Sequence, residues 1–388
     1  MTNRMNSRRV FLRTSSKILG LAAVPGMSRW GDAASEPVAY PSVYPGAELL
    51  FPQDHGAHPD YRTEWWYLTA SLDSPQGPMG LQITFFRSRT PFGRENPSRF
   101  APEQLVLAHA ALALPEKGSL LHDQQAWRQD DAVAQFSVDD TDVAIGLPSR
   151  RWSIVRTASD HYQISVRAEQ FQFDITAVPP STIETPVLQG RQGFSQKGPD
   201  ELQASYYYSR PQLQIEGEYK TDAAPVPVTG TAWLDHEWSS ELLDSQASGW
   251  DWVGLNFDDG SALMAFQMRA KSGEPLYTTA RHVTVEAGVR KETDHKATFT
   301  ALRYWESSRT DGRYPVSLRL QAGGLDLTIV ALFDDQELDS RGSTGVIYWE
   351  GIVQVWQSED VDSDGVSTGE PVASGYLELT GYAGEVVI

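Results

Sequence analysis

Apolar and polar side chains alternate with period two through most of this chain, and that pattern admits few folds. The segments EQLVLAHAALAL, HYQISVRAEQFQFDITAV, LQIEGEYK, GLDLTIVALF, YWEGIVQVW and GYLELTGYA each carry it, as strands with one face on a core do. Turn clusters rich in Gly, Pro, Asp and Ser, such as DSPQGPMG, FDDGS and AKSGEP, separate them. No long segment shows an apolar 3.6-residue period with caps. Many strands at close, even spacing predict an all-β protein of sandwiches or barrels.

A loose internal repeat sharpens the expectation. WWYLTASLDSPQGPMGLQITFFRSR (65–89) and WDWVGLNFDDGSALMAFQMRA (250–270) share a layout. Each opens on an aromatic strand, turns through Asp and Gly, and returns on an apolar strand ending in Arg87 or Arg269. A His-acid stretch precedes each, DHGAHPDYRTE in one case and DHEWSS in the other. Two copies of one β-unit give two similar domains, and the 388 residues leave room for both. The boundary is expected near KTDAAPVPVTG, dividing residues 35–228 from 229–388.

Residues 1–34 read differently. Arg8 and Arg9 precede Val10, Phe11 and Leu12, followed by a weakly apolar run ending in small residues. That order is similar to a twin-arginine export signal, which a receptor reads as an address. The mature protein is then expected in the periplasm or outside the cell, with cleavage within GDAAS, residues 31–35. Cysteine is absent, so no disulfide supports the fold in an oxidising compartment and core burial must suffice. The net charge of −19 becomes more negative without the leader, which carries Arg4, Arg8, Arg9, Arg13, Lys17 and Arg29 against Asp32. Such a surface repels phosphate backbones and anionic lipid, which argues against a nucleic-acid partner. Beyond the leader no apolar run is long enough to span a bilayer, so an integral membrane protein is not expected.

The blocks FPQDHGAHPDYRTEWWYLTASL, LQITFFR, AHAAL, YYYSRPQLQIEGE, WLDHEWSS, GWDWVGLNFDDGSALMAFQMR, YWEG and GYLELTGYA, in that order from Phe51 to Tyr382, resemble the AttH-like, carotenoid 1,2-hydratase-like family, whose members are often labelled predicted secreted hydrolases. The resemblance implies two tandem lipocalin-like antiparallel β-barrels. It also implies a range of activities: carotenoid hydratases, a plant-phytoalexin hydratase and pericyclase-type enzymes. Other members are exported proteins encoded beside permeases of a lipoprotein-release-type ABC transporter. It therefore speaks to the fold more than to the reaction.

A hydratase of an apolar polyene protonates a double bond and lets water capture the cation. That requires a carboxylic acid or imidazolium kept protonated by burial and aromatic faces to stabilise the cation. Three clusters offer both: Asp235, His236, Glu237 and Trp238; Glu64, Trp65, Trp66 and Tyr67; and Trp250, Asp251 and Trp252. The candidate catalytic groups are thus Asp235, His236, Glu237, Glu64 and Asp251, with His58 and the aromatic residues lining the substrate. On a strand Glu64 and Trp66 share one face, Trp65 and Tyr67 the other. The competing reading pairs these acids with Arg62, Arg87 or Arg269 and buries the tryptophans in barrel cores.

Other chemistries find less support. His55 and His58 with Asp54, Asp60 and the Asp235–Glu237 run could hold zinc if the two segments meet, but HExxH is absent. DVDSDG places Asp360, Asp362 and Asp364 as in a calcium loop, yet the twelfth position is Pro371 and the flanks read as strands. Serine hydrolysis has no strand-to-helix elbow to rest on: GFSQK around Ser195 misses the last glycine of G-x-S-x-G, GVSTG (365–369) lies in an acidic turn stretch, and no glycine-rich phosphate loop occurs. No cofactor is called for. The expectation is an exported enzyme that hydrates or isomerises a bulky apolar or amphiphilic molecule. The alternative is a lipocalin-like carrier passing a hydrophobic ligand to an envelope ABC transporter.

Overall fold

The structure, a computed structural model, describes residues 38–92, 98, 101–221, 224–241, 244–361, 369–384 and 386. Among them all regular structure is β apart from four short 3-10 turns, and no helix is long and apolar enough to cross a membrane. The leader lies outside the described residues.

The first sheet contains β1 (Thr63–Ser74), β2 (Gly77–Arg89), β3 (Gln104–Ala113), β4 (Leu121–Arg128), β5 (Ala134–Phe136), β6 (Asp142–Ile145) and β7 (Trp152–Arg156). It continues with β8 (Tyr162–Arg167), β9 (Gln172–Val178), β10 (Val187–Leu188), β11 (Phe194–Gln196), β12 (Ala204–Lys220) and β13 (Val226–Ser239). The second contains β14 (Ala247–Phe257), β15 (Ala262–Ala270), β16 (Pro275–Glu286), β17 (Val289–His295) and β18 (Ala297–Glu306). It ends with β19 (Arg313–Ala322), β20 (Leu325–Ala331), β21 (Glu337–Asp339), β22 (Ile347–Gln357) and β23 (Ala373–Thr380).

The two strand orders match. The first runs β4-β3-β2-β1-β13-β12-β9-β8-β7-β6-β5 and the second β17-β16-β15-β14-β23-β22-β20-β19-β18. In each, the last strand pairs with the first, curling an antiparallel meander into a lipocalin-like barrel or half-barrel. The repeat read from residues 65–89 and 250–270 is thus the hairpin β1–β2 set against β14–β15. The expected boundary at 228 to 229 falls inside β13. That strand pairs with β1 and β12, so the chain changes sheet between Ser239 and Ala247.

Alternation builds three apolar layers. Trp66, Leu68 and Ala70 of β1 face into the first barrel with Ile83, Phe85, Trp152 and Tyr162. Val253 and Leu255 of β14 face into the second with Leu263, Tyr314, Leu318 and Trp349. The opposite faces of these strands are buried too, because the sheets pack on each other. Tyr67, Tyr207 and Trp233 meet Trp252, Phe266, Met268, Tyr348 and Tyr376 there. Approach is close at Gly80, where an added Cβ would stand 2.3 Å from the Tyr376 hydroxyl. The bulge at Gln212, with φ of 58°, sends its backbone N–H to Asn256 Oδ1 at 2.9 Å and its amide to the Ser261 carbonyl at 2.7 Å, tying the sheets at a second point.

Candidate functional site

Acidic and aromatic residues gather in two places, and adjacent residues of one strand supply both. On β13 the even-numbered His236 and Trp238 face the first barrel while Asp235 and Glu237 face the second sheet, as period two requires.

At the first barrel, the loop ahead of β1 folds over the inward-facing ends of β1, β2, β12 and β13. Glu64, wholly buried, receives His236 Nε2 and His58 Nδ1, each at 2.8 Å, on one oxygen and Arg87 Nε at 2.8 Å on the other. The backbone N–H of His58 adds a bond at 2.9 Å. Burial alone would raise the Glu64 carboxyl, but the hydrogen bonds from His236 and His58 and the charges of His58 and Arg87 hold it well below its ordinary value. Asp54 Oδ1 lies 3.2 Å from His58 Nε2, and the Trp238 ring stacks on His58 at 3.6 Å. The Tyr208 hydroxyl joins His236 at 3.1 Å and His55 at 2.9 Å, with burial and then Arg156 and Arg210 lowering His55 to about 3.

The two histidine segments do meet here. Ligand atoms of His58, Glu64 and His236 lie within 4.8 Å of one another, so these three could hold a metal. Arg87 already occupies the second oxygen of Glu64, and both histidine contacts are hydrogen bonds of ordinary length, so the cluster is satisfied as it stands. Of the DVDSDG acids, Asp360 closes a 3-10 turn, Ser358–Asp360, and Asp362 and Asp364 lie outside the described residues.

The second place is a cavity of about 390 Å³ between the sheets. Trp65, Tyr67, Phe86, Leu105 and Leu107 wall it from the first sheet; Trp250, Trp252, Phe266, Met268 and Tyr348 from the second. Carboxyl groups enter from both sides: Asp235 and Glu237 from β13, Glu350 from β22 and Glu378 from β23. Asp235 accepts from Ser209 Oγ at 2.6 Å, Trp233 Nε1 at 2.7 Å and the Tyr207 hydroxyl at 2.7 Å. Tyr207 in turn accepts from Trp252 Nε1 at 3.1 Å, linking the sheets. Burial nevertheless pushes Asp235 up to about 7, against the pull of Ser209, Tyr207 and Trp233 and with help from the Glu237 charge. Glu378 is also pushed up to about 7, by burial first, although Thr380 and Trp250 donate to it at 3.0 and 2.8 Å. Glu350 stands directly opposite Glu378 on the neighbouring strand. Burial and then that charge drive it well above the ordinary carboxyl range. Lys197 Nζ sits 3.0 Å from Glu237 Oε1 and 4.3 Å over the Tyr207 ring.

The expected site residues therefore divide. Asp235, Glu237, Trp65, Tyr67, Trp250 and Trp252 share the cavity with the second sheet's acids. His236, His58 and Trp238 belong to the cluster at the first barrel, Trp66 to that barrel's interior, and Glu64 to an ion pair with Arg87 that also borders the cavity. Asp251 faces the second barrel, held by Arg269 Nε and Gln267 Nε2, each at 3.0 Å, and by the Tyr382 hydroxyl at 3.1 Å. Glu350, Glu378, Tyr348, Tyr207 and Lys197 were not singled out from the sequence. The signal for the two glutamates is a lone acid inside an apolar aromatic strand, as in IYWEGIVQVW and GYLELTGY.

The chain is similar to solved proteins along nearly its whole length. A crystal structure of an AttH-type protein from Nitrosomonas europaea is 44% identical, covering 88% of this chain and 99% of that one with a TM-score of 0.78. Kievitone hydratase from Nectria haematococca shares the fold at 16% identity, covering 89% and 94% with a TM-score of 0.60. CghA, solved with Sch210972, shares it at 13% identity, covering 91% and 97% with a TM-score of 0.55. No curated protein matches the chain significantly. The sequence model of the AttH-like family matches residues 42–382, and the chain belongs to that family.

Proposed function

We propose that this protein is an enzyme that hydrates or isomerises a carbon–carbon double bond in a bulky apolar or amphiphilic molecule bound between the two sheets. One observation carries the reading: Asp235, Glu350 and Glu378 enter one aromatic-walled cavity, all three with carboxyl pKa values raised by burial. An acid that titrates near neutrality can give a proton to carbon and take one from water in the same cycle. The carboxyl gives its proton to one carbon of the double bond, water adds at the other, and a carboxylate accepts the proton that water loses. The indoles of Trp250 and Trp252 line the cavity beside these acids. A carrier needs the walls without the acids. Kievitone hydratase, similar in fold, is a hydratase by name, which agrees with the reading.

The test begins with the small molecule that copurifies with protein extracted gently from its native envelope. Supplied to purified protein in heavy-oxygen water, it should gain the heavy atom or shift its double bond, and Asp235→Asn with Glu378→Gln should stop the conversion. Return of the molecule unchanged, though bound, contradicts the enzyme and favours the carrier.

We also propose twin-arginine export. Replacing Arg8 and Arg9 by Lys should leave precursor in the cytoplasm, and normal accumulation outside it contradicts the assignment.

A further inference from the structure

Most polar groups around the cavity are spoken for. Asp235 has three donors, Glu378 has two, and Lys197 is paired with Glu237. Two are not. The Tyr67 hydroxyl and Glu350 Oε1 are buried without a hydrogen-bond partner, although both residues line the cavity, one from each sheet. Buried polar atoms of this kind are costly to leave unmade and point to a missing partner. Tyr67 and Glu350 lie close enough to perturb one another, yet neither of these two oxygens completes a well-formed hydrogen bond.

Their protonation states define that partner. Burial, then the charges of Glu350 and Glu378, hold the Tyr67 phenol well above its ordinary value, and burial holds Glu350 above its own. Both groups therefore favour their protonated forms, in which each presents a donor. Two donors beside one another call for an oxygen that accepts twice, and a carbonyl oxygen does so with its two lone pairs. A ligand carboxylate would instead meet the acids of the cavity, where the Lys197 cation already faces Glu237.

We propose that the substrate is a neutral α,β-unsaturated carbonyl compound, its carbonyl oxygen held by the Tyr67 hydroxyl and the carboxylic acid of Glu350. This rests on the reading of the cavity as a double-bond hydration or isomerisation site, and it names the substrate class. Water forms its carbon–oxygen bond at the β-carbon. The π pair of the double bond moves to the α-carbon–carbonyl bond, and the carbonyl π pair moves to oxygen. The resulting enolate lies between the two donors, which strengthen as its charge grows. Glu378, as carboxylate, takes the proton that leaves water and returns it to the α-carbon as the carbonyl re-forms. The net change is addition of H and OH across the double bond, with no other reactant.

The experiment compares benzylideneacetone, a planar enone, with phenylbutene, the same skeleton without the oxygen. Purified full-length protein should bind the enone about tenfold more tightly, the value of one well-made hydrogen bond to a buried donor. The bound carbonyl stretch should move to lower frequency. Tyr67→Phe and Glu350→Leu should each remove the tenfold preference and the frequency shift while phenylbutene still binds. Glu350→Gln, which keeps a donor, should retain part of both. Equal affinity for the two probes with an unshifted carbonyl overturns the carbonyl site and leaves the cavity reading standing. Failure of the wild-type protein to bind either probe contradicts both.

Discussion

The two halves of this molecule share one strand order and differ in where they keep their charge. Arg87 and Arg269 end equivalent strands of the two sheets and both neutralise a buried acid. In the first half that acid is Glu64, ringed by two histidines; in the second it is Asp251, joined by a glutamine and a tyrosine. The cavity faces diverge as well. Tyr67 pairs with Asp235 as Trp252 pairs with Glu378, but Asp235 has Ser209 on its other side where Glu378 has Glu350. A hydroxyl donor beside an acid holds it in place. A second acid in the same position forces the pair to share protons. In the proposed reaction the first half would supply a positioned carboxyl and the second a pair of facing acids.

The sharpest way to break this comparison is at the arginines. Arg87→Met removes the cation from a Glu64 held far below its ordinary value, and losing one partner of a buried pair costs about 3–5 kcal/mol. Arg269→Met should cost clearly less. Burial already raises Asp251 despite the Arg269 charge, so it can take up a proton instead. Urea unfolding of both variants near pH 6 reads the difference. Equal losses would mean that the two ion pairs do the same job.

The pH dependence follows from the cavity acids. Asp235 goes from an ordinary 3.8 to about 7 on folding, and Glu378 from 4.5 to about 7. A raised acid binds its proton more tightly when folded. Its contribution is therefore fully present below the unfolded pKa and is lost as pH rises through the folded one. Each group loses roughly 1.4 kcal/mol for every pH step of one within that window. Stability from these groups should fall between about pH 4 and pH 7, and Asp235→Asn with Glu378→Gln should flatten that slope. A slope unchanged in the double variant would remove both acids from the account.

The alternation revealed the all-β class and the repeat because both barrels keep an apolar inward face. It could not show which way the second face of β1, β13 and β14 points, since that face is also buried, against the other sheet. Asp235 and His236 consequently look like one cluster in the sequence and lie on opposite sides of a strand. Asp251 sits between two cavity tryptophans in sequence and faces away from them. Glu350 and Glu378 pass as interruptions of core strands until the packing of the sheets brings them into the cavity that Asp235 enters from the other side. Their chemistry is a property of the contact between halves, which no single segment encodes.

Making the second half resemble the first is a finer test. Glu350→Ser places a hydroxyl donor where Ser209 stands in the first sheet, and a hydrogen bond from it to the Glu378 carboxylate should lower the Glu378 titration midpoint. An unmoved Glu378 would show that burial alone sets it. The smallest effect is expected at Trp252→Leu, which loses the Trp252-to-Tyr207 bond and part of the cavity wall. Ligand affinity should weaken about tenfold, with the melting temperature moving only a few degrees.

The central claim is that carboxyl groups between the sheets keep protons near neutral pH. Carboxyl-carbon NMR of protein labelled at Asp and Glu tests it most directly, with assignments made by the disappearance of single resonances in Asp235→Asn, Glu378→Gln and Glu350→Gln. The account predicts two resonances titrating near 7, from Asp235 and Glu378, and a Glu350 resonance that titrates above the ordinary carboxyl range. Ionisation of all three by about pH 5, the ordinary range of exposed carboxyls, would contradict it.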